Sequence, residues 1–400
     1  MAENNDSRFT YDGMPRNKLL GSTRYISYDD INVDPNLIVI GDKETGKTSN
    51  WVIPNARWIN SYATIITDKD LVVREAVSEW NMKTNEISPL RQYIFDAELE
   101  DSFKFNPFTA DFGDSTKKVR HLARAFLAAS KNVPQKEEYF SLYVAIVCAV
   151  YFGVTSKKND LSGLKDTMSM RFVDFKAHID VFINDSKDTF QNRPSFMDWL
   201  AKFNELPVNK ASEMFEMARN ALAPFFTDEA LKMGDTHNNT ILPLDIRAYK
   251  MYVNLKEDRY STTNCMFAVF LDAVLDRQIF FSSASESDPV PYKHIILDDV
   301  EYIPLSPHVR KNIDKGYKYG VTTTVLARHV KGVASFFEGC EVAALMGGGE
   351  ENMDDLKFLS ETFNVPLSEI QENNKEDNIL IFQKGHKLLV DKKAGTRGIF

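Results

Sequence analysis

Gly41, Gly46, Lys47 and Thr48 stand at the spacing GxxxxGK[ST], inside the stretch Asn36–Ser49 that reads NLIVIGDKETGKTS. Residues of these types at this spacing hold a phosphate chain. The loop turns its backbone N–H groups inward, and a helix that begins at the lysine points its positive end at the anion. On this reading the nucleotide-binding residues are Gly41, Asp42, Lys43, Glu44, Thr45, Gly46, Lys47, Thr48 and Ser49. Lys47 reaches the β- and γ-phosphates and acts in catalysis, and the Thr48 hydroxyl is a ligand for Mg²⁺. Thr45 replaces the glycine that many such loops carry before Gly-Lys, which stiffens the turn without forbidding it.

A second stretch completes this chemistry. His294–Asp299 reads HIILDD, an apolar strand ending in two carboxylates. A buried strand of this form carries one carboxylate to the sheet's carboxyl edge, so Asp298 is the second Mg²⁺ ligand. Asp299 occupies the place where a glutamate usually polarises the attacking water. It is shorter by one methylene, roughly 1.5 Å, and a general base must lie within about 2.6–3.2 Å of its water. Glu301, two residues on, is the alternative carboxylate.

These two stretches need a sheet to bring them together. Leu37–Ile40, Ala63–Thr67 and Gln92–Asp96 are short apolar runs separated by helical segments, the pattern of a parallel sheet with crossover helices. From Asp114 to about Asp235 apolar residues instead recur every three or four positions, which predicts helices. The strand pattern resumes at Lys250–Leu255 and continues through Val321–Leu326, Glu341–Met346, Asn378–Phe382 and Lys387–Val390. The expected architecture is α/β, a RecA-like P-loop NTPase sheet interrupted by an all-α insertion. Its divisions are a flexible N-terminus over 1–20, an NTPase domain over 21–112 and 241–400, and an insertion domain over 113–240.

Composition narrows the alternatives. A chain of 400 residues with 43% hydrophobic and 26% charged residues can bury a large core. Its net charge of −9 argues against a surface coated in basic residues, so nucleic-acid contact would be confined to a local channel. Cys148, Cys265 and Cys340 are sparse and lie in apolar surroundings, which predicts buried thiols rather than disulfides or zinc ligands. The seven histidines show no metal-ligand spacing and read as surface or capped residues, leaving Mg²⁺ as the only metal implied. The opening residues lack the apolar core of a signal peptide. Phe140–Val154 falls short of the ~20 apolar residues of a membrane helix and reads as a helix buried in a domain core.

With these residues in place the chain resembles the type IV coupling proteins, the TraG/TraD-like ATPases of conjugation and type IV secretion. Gly21–Tyr25 is similar to the family's entry segment, Trp51–Ala56 (WVIPNA) to its V-x-P-N run, and Ile65–Leu71 (IITDKDL) to the segment after its second strand. Phe105–Phe108 (FNPF), Ile303–Pro304 and Gly316–Val321 follow in the family's order. There are departures. The Pro-Lys-Gly-Glu run contracts to Lys69–Asp70, and the glutamine after the next strand gives way to Ala327–Arg328–His329.

The resemblance implies an ATP- and Mg²⁺-dependent motor that assembles as a ring, hexameric in that family, around a central channel. Its implied partners are DNA, contacted mainly at phosphates, a relaxase or relaxosome, and a membrane channel component or anchoring partner. Such a chain would work in the cytoplasm, recruited to the inner face of the membrane, as a variant without the family's N-terminal membrane segment. A ring site calls for a cation from the neighbouring subunit or a γ-phosphate sensor, and Arg310 and Arg328 are the candidates. Lys331 is the nearest candidate for a DNA-facing loop. The competing readings are a nucleotide-gated adaptor with weak hydrolysis and another hexameric DNA translocase.

Overall fold

In the computed structural model, which describes residues 17–19, 25–27, 36–58, 63–84, 91–109, 115–186, 196–234, 249–284, 293–348 and 352–393, the apolar runs are strands, and those inside the sheet are buried on both faces while the two edge strands are partly exposed. A small antiparallel pair comes first, β1 (Asn17–Leu19) with β2 (Tyr25–Ser27). Asn17–Leu19 thus corrects the expectation of a loose segment over 1–20, because its backbone pairs with a second strand. Most of the Gly21–Tyr25 entry segment lies outside the described residues.

The main sheet begins with β3 (Leu37–Ile40), followed by α1 (Ile53–Trp58), β4 (Ala63–Thr67), α2 (Val72–Thr84) and β5 (Arg91–Phe95). Between β5 and the next strand every described element is helical: α3 (Ser115–Ala128), α4 (Glu137–Tyr151), α5 (Leu161–Ser169), α6 (Phe172–Ser186), α7 (Met197–Asn204), α8 (Val208–Ala221) and α9 (Asp228–Gly234), with a 3₁₀ turn at Ala223–Phe225. The sheet resumes with β6 (Tyr249–Val253), α10 (Thr262–Ala284), β7 (Lys293–Leu297), α11 (Pro307–Gly316) and β8 (Val321–Ala327). It closes with α12 (Val330–Val333), β9 (Val342–Met346), α13 (Met353–Phe363), α14 (Leu367–Asn373), β10 (Asn378–Gln383) and β11 (Leu389–Lys392).

The strand order is β11-β10-β9-β3-β8-β7-β4-β6-β5. All neighbours from β5 to β9 in this order run parallel, whereas β10 is antiparallel to both β9 and β11. A short turn with Gly385 at φ 78° joins β10 to β11, which only an antiparallel pair allows.

Side chains alternate between the two sheet faces. Leu37, Val39, Ile66 and Ile296 join Trp51, Val52, Val73 and Val77 beneath α1 and α2. Ile38, Ile40, Ile65, Ile295 and Leu297 face the other way, into a cluster continuous with the buried side chains of the helical layer.

Two helices hold that layer, and both are apolar all round, as buried helices are. In α10 the residues Asn264–Leu275 are buried, and Phe270 packs its ring 5.2 Å from both Phe95 and Phe105. In α4 every residue from Phe140 to Val150 is buried, against α3 and α7 among others. No helix among the described residues is long and apolar enough to cross a membrane. The three cysteines are buried. The FNPF segment leads from sheet to helices: Phe105 N–H donates to Met233 O at 2.9 Å, and Lys118 Nζ donates to Phe108 O at 2.6 Å.

Candidate functional site

Parallel strands place their carboxyl ends along one edge, and β3, β8 and β7 are consecutive in the sheet. The register pairs Ile40 with Ala327 and Leu297 with Val325. Gly41, Arg328 and Asp298 therefore leave the sheet side by side. Everything at the site follows from this adjacency.

The loop after β3 is built tightly. Gly46 has φ +78°, and a Cβ there would lie 2.2 Å from Asn50 Nδ2. A Cβ on Gly41 would meet Thr45 Oγ1 at 2.5 Å and Met346 Cβ at 2.8 Å. Thr45 is buried and its hydroxyl donates to Asp42 O at 2.8 Å, so its side chain staples the turn. The following helix starts as a π-helical turn, Thr48–Val52, before α1. Pro54 accounts for this, since it has no N–H for the carbonyl of Asn50 and its ring crowds that oxygen in a regular α-turn. The helix expected to begin at the lysine is thus wider at its start.

Lys47 is buried and its ammonium donates to Gly41 O at 2.6 Å and Asp42 O at 3.3 Å, across the mouth of the loop. Thr48 Oγ1 donates to Asp298 Oδ2 at 2.8 Å, joining residues 250 positions apart. Asp298 is fixed from two further sides: Asp299 N–H donates to its Oδ1 at 3.0 Å, and Thr67 Oγ1 donates to its carbonyl at 2.8 Å. Burial pushes the Asp298 carboxyl up to about 6, with Asp299 adding to the rise, while Lys47 and the Thr48 hydroxyl pull it down. A desolvated carboxylate beside a threonine hydroxyl is a donor pair suited to a hard cation such as Mg²⁺.

A cavity of about 310 Å³ opens over this pair. Its walls include Lys43, Gly46, Lys47, Thr48, Ser49, Lys69, Asp298, Asp299 and Arg328. Asp299 has left-handed backbone (φ 52°, ψ 48°), a conformation that aspartate tolerates better than most side chains, and the chain turns back at once through Val300–Tyr302. That turn returns Glu301 to 4.0 Å from Arg328 Nε. Burial raises the Glu301 carboxyl, with Asp299 raising it further and Arg328 and Lys47 opposing.

Several predicted residues sit at the rim of that cavity or away from it. Lys43 and Glu44 are exposed, and Asp42 uses Oδ1 to accept from Lys43 N–H at 2.6 Å. Glu44 and Thr45 line a second cavity of about 390 Å³ on the far side of the loop, with Asn50, Glu376, Asp377 and Lys393. Arg310 is on α11, where Nη1 donates to Ser335 Oγ at 3.0 Å and the guanidinium lies over the Phe336 ring.

Sequence reading missed two features of the site. Lys393 donates to Thr45 O and Gly347 O, both at 2.8 Å, tying the end of β11 to the loop. No linear pattern marks a lysine that acts through backbone carbonyls. The turn after β4 is the other: Asp70 and Leu71 both have positive φ, and Asp68 accepts from Val73 N–H and Arg74 N–H at 2.8 Å to start α2.

This sheet order, with one strand between the loop strand and the Asp298 strand, is that of a RecA-like P-loop NTPase. Solved structures agree with it. The chain is similar to the bacterial conjugative coupling protein TrwBdeltaN70 in complex with sulphate, at TM-score 0.67 and 13% identity over 94% of this chain and 89% of that one. It is similar to the plasmid coupling protein TrwB in complex with the non-hydrolysable ATP analogue ADPNP, at TM-score 0.67 and 12% identity over 94% and 88%. VirB4 of Thermoanaerobacter pseudethanolicus matches at TM-score 0.55 and 13% identity over 94% and 96%. The sequence matches no protein-family model and no curated protein.

Proposed function

We propose that this chain is an ATP-hydrolysing coupling motor of a conjugative or type IV secretion apparatus. The observation that carries the reading is the 2.8 Å contact between Thr48 and Asp298, with Lys47 and Arg328 on the same cavity. The fold shared with TrwB and VirB4 supports it, and TrwB has been crystallised with ADPNP and with ADP and Mg²⁺.

In this reading the triphosphate displaces the Gly41 and Asp42 carbonyls as partners of the Lys47 ammonium, and the loop N–H groups hold its oxygens. Thr48 and Asp298 hold Mg²⁺, which when bound neutralises phosphate charge. Asp299 and Glu301 are the two carboxylates able to orient the attacking water. Arg328, between the loop and Asp298, is placed to sense the γ-phosphate within its own chain. Arg310 is outside that cavity, and its role in this reading is toward a neighbouring subunit. The neighbours in this reading are further copies in a ring, DNA held through its phosphates, a relaxase and a membrane channel component, and the ring would be hexameric and cytoplasmic.

Steady-state ATP turnover, measured with and without single-stranded DNA, tests the proposal. Turnover that is stimulated by DNA and abolished in Lys47→Ala is expected. Tight ATP binding without turnover would favour the adaptor reading, which the short Asp299 carboxylate supports. No ATP binding would remove both.

A further inference from the structure

Away from the sheet edge, three helices bring two histidines and an aspartate together. His121 of α3, Asp276 of α10 and His308 of α11 each offer one ligand atom, and these atoms lie within 4.8 Å of one another. His121 Nδ1 contacts Asp276 Oδ2, and His308 Nε2 is 2.8 Å from Asp276 Oδ1. The two imidazole rings meet edge to face at 4.6 Å. Asn312, one turn after His308, places Nδ2 at 2.7 Å from Asp276 Oδ1 and 3.1 Å from His308 Nε2.

These last contacts form a triangle: with Asp276 ionised its Oδ1 can accept from both His308 and Asn312, but the two donors are then only 3.1 Å apart. If His308 Nε2 carries a proton for Asp276, it faces a second donor in Asn312. If it does not, two acceptors face each other across 2.8 Å. Turning the Asn312 amide over moves the unfavourable edge to Asp276 and does not remove it.

A second observation points to a missing positive charge. Asp272, one helical turn before Asp276, is only 2% exposed, and both its carboxylate oxygens have no hydrogen-bond partner among the described residues. It faces His308 and Arg124. The other cations around the cluster are Lys117 and Arg120 of α3 and Lys311 of α11, and Arg124 also lies over the Phe140 ring.

We propose that His121 Nδ1, His308 Nε2, the Asp276 carboxylate and the side-chain oxygen of Asn312 bind one divalent transition-metal ion, for which zinc is the best match. Two imidazole nitrogens and two oxygens suit a four-coordinate zinc site and are poor ligands for Mg²⁺ or Ca²⁺. A central cation turns every edge of the triangle into a favourable contact, and it gives Asp272 a countercharge. The ion would pin α3, the first helix after β5, to α10 and to the helix that follows the Asp298 strand. In this proposal the ligands come from three separate segments, which the linear spacing of histidines does not register.

The test uses the full chain, stripped with chelator and titrated with Co²⁺ in the presence of excess Mg²⁺, which occupies the hard-oxygen site near Thr48. One Co²⁺ per chain is expected, with the visible d–d absorption of a four-coordinate site. Binding should persist in Asp298→Asn and weaken at least about tenfold in His121→Ala and in His308→Ala. Cu²⁺ bound to the unaltered chain should show hyperfine coupling to two imidazole nitrogens, a readout that needs no variant to fold. Failure of Co²⁺ to bind under excess Mg²⁺, absence of nitrogen coupling, binding unchanged in both histidine variants, or loss of binding in Asp298→Asn would each overturn the proposal.

Discussion

Two of the places where this molecule encloses carboxylates differ in what surrounds them. At the sheet edge Asp298 faces a threonine hydroxyl, a lysine ammonium and a cavity of about 310 Å³. In the helical layer Asp276 is packed against two imidazoles and an amide, with Asp272 enclosed one turn away. The first arrangement leaves room for a ligand the size of a phosphate chain. In the second the carboxylate is met directly by the side chains around it. The desolvation cost is similar in kind at both, so the difference lies in the partner each is shaped to receive.

Variants can break or sharpen this contrast. The largest effect is expected from Lys47→Ala, which should lower ATP turnover by about 10²–10³-fold or more, the loss seen when one preorganised charge-stabilising donor is removed. Thermal stability should change little by comparison, as measured by calorimetry of the nucleotide-free protein. In the helical layer the reverse pattern is expected. Ile146→Ala, at a residue 1% exposed in α4, should cost about 2–5 kcal/mol in denaturant unfolding while leaving the affinity for ATP within about twofold.

Gly46→Ala should affect both readouts. Its φ of +78° and the 2.2 Å approach to Asn50 predict a loss of about 1–3 kcal/mol together with weakened nucleotide binding.

The smallest expected effect is on pH dependence. Burial pushes Asp68 up to about 6, against two N–H bonds that pull it down, with Asp298 adding to the rise. A carboxyl whose folded pKa is raised contributes stability that is full below its unfolded value of about 4 and lost as the pH rises through 6. The slope is worth at most about 3 kcal/mol for a shift of this size. Asp68→Asn should therefore flatten the stability profile between pH 4 and 7, measured by urea unfolding without Mg²⁺, and leave the part due to Asp298. An unchanged profile would show that Asp68 is not the group that titrates.

The sheet edge was legible in the sequence because each half of it is carried by contiguous residues. Gly41–Ser49 and Ile295–Asp299 each combine an apolar strand with the polar residues that leave it, so local spacing reports the chemistry directly. The alternation of strand and helix, and the run of helices between β5 and β6, were readable from periodicity for the same reason. The strand β1 was not, since three residues give too few alternations to stand out. The width of the first turn after the loop depends on Pro54 within the helix, which a periodicity count passes over. Lys393 and the His121–Asp276–His308 cluster depend on tertiary approach alone. Residues 155 and 32 positions apart meet there without any shared local pattern.

The most direct test of the account is the affinity for ATP, measured by calorimetry with and without Mg²⁺ in the unaltered chain and in Asp298→Asn. If Lys47, Thr48 and Asp298 serve one triphosphate–metal site, Mg²⁺ will tighten ATP binding to the unaltered chain, and the variant will lose that gain while keeping its metal-free affinity. A gain from Mg²⁺ that survives intact in Asp298→Asn would contradict it.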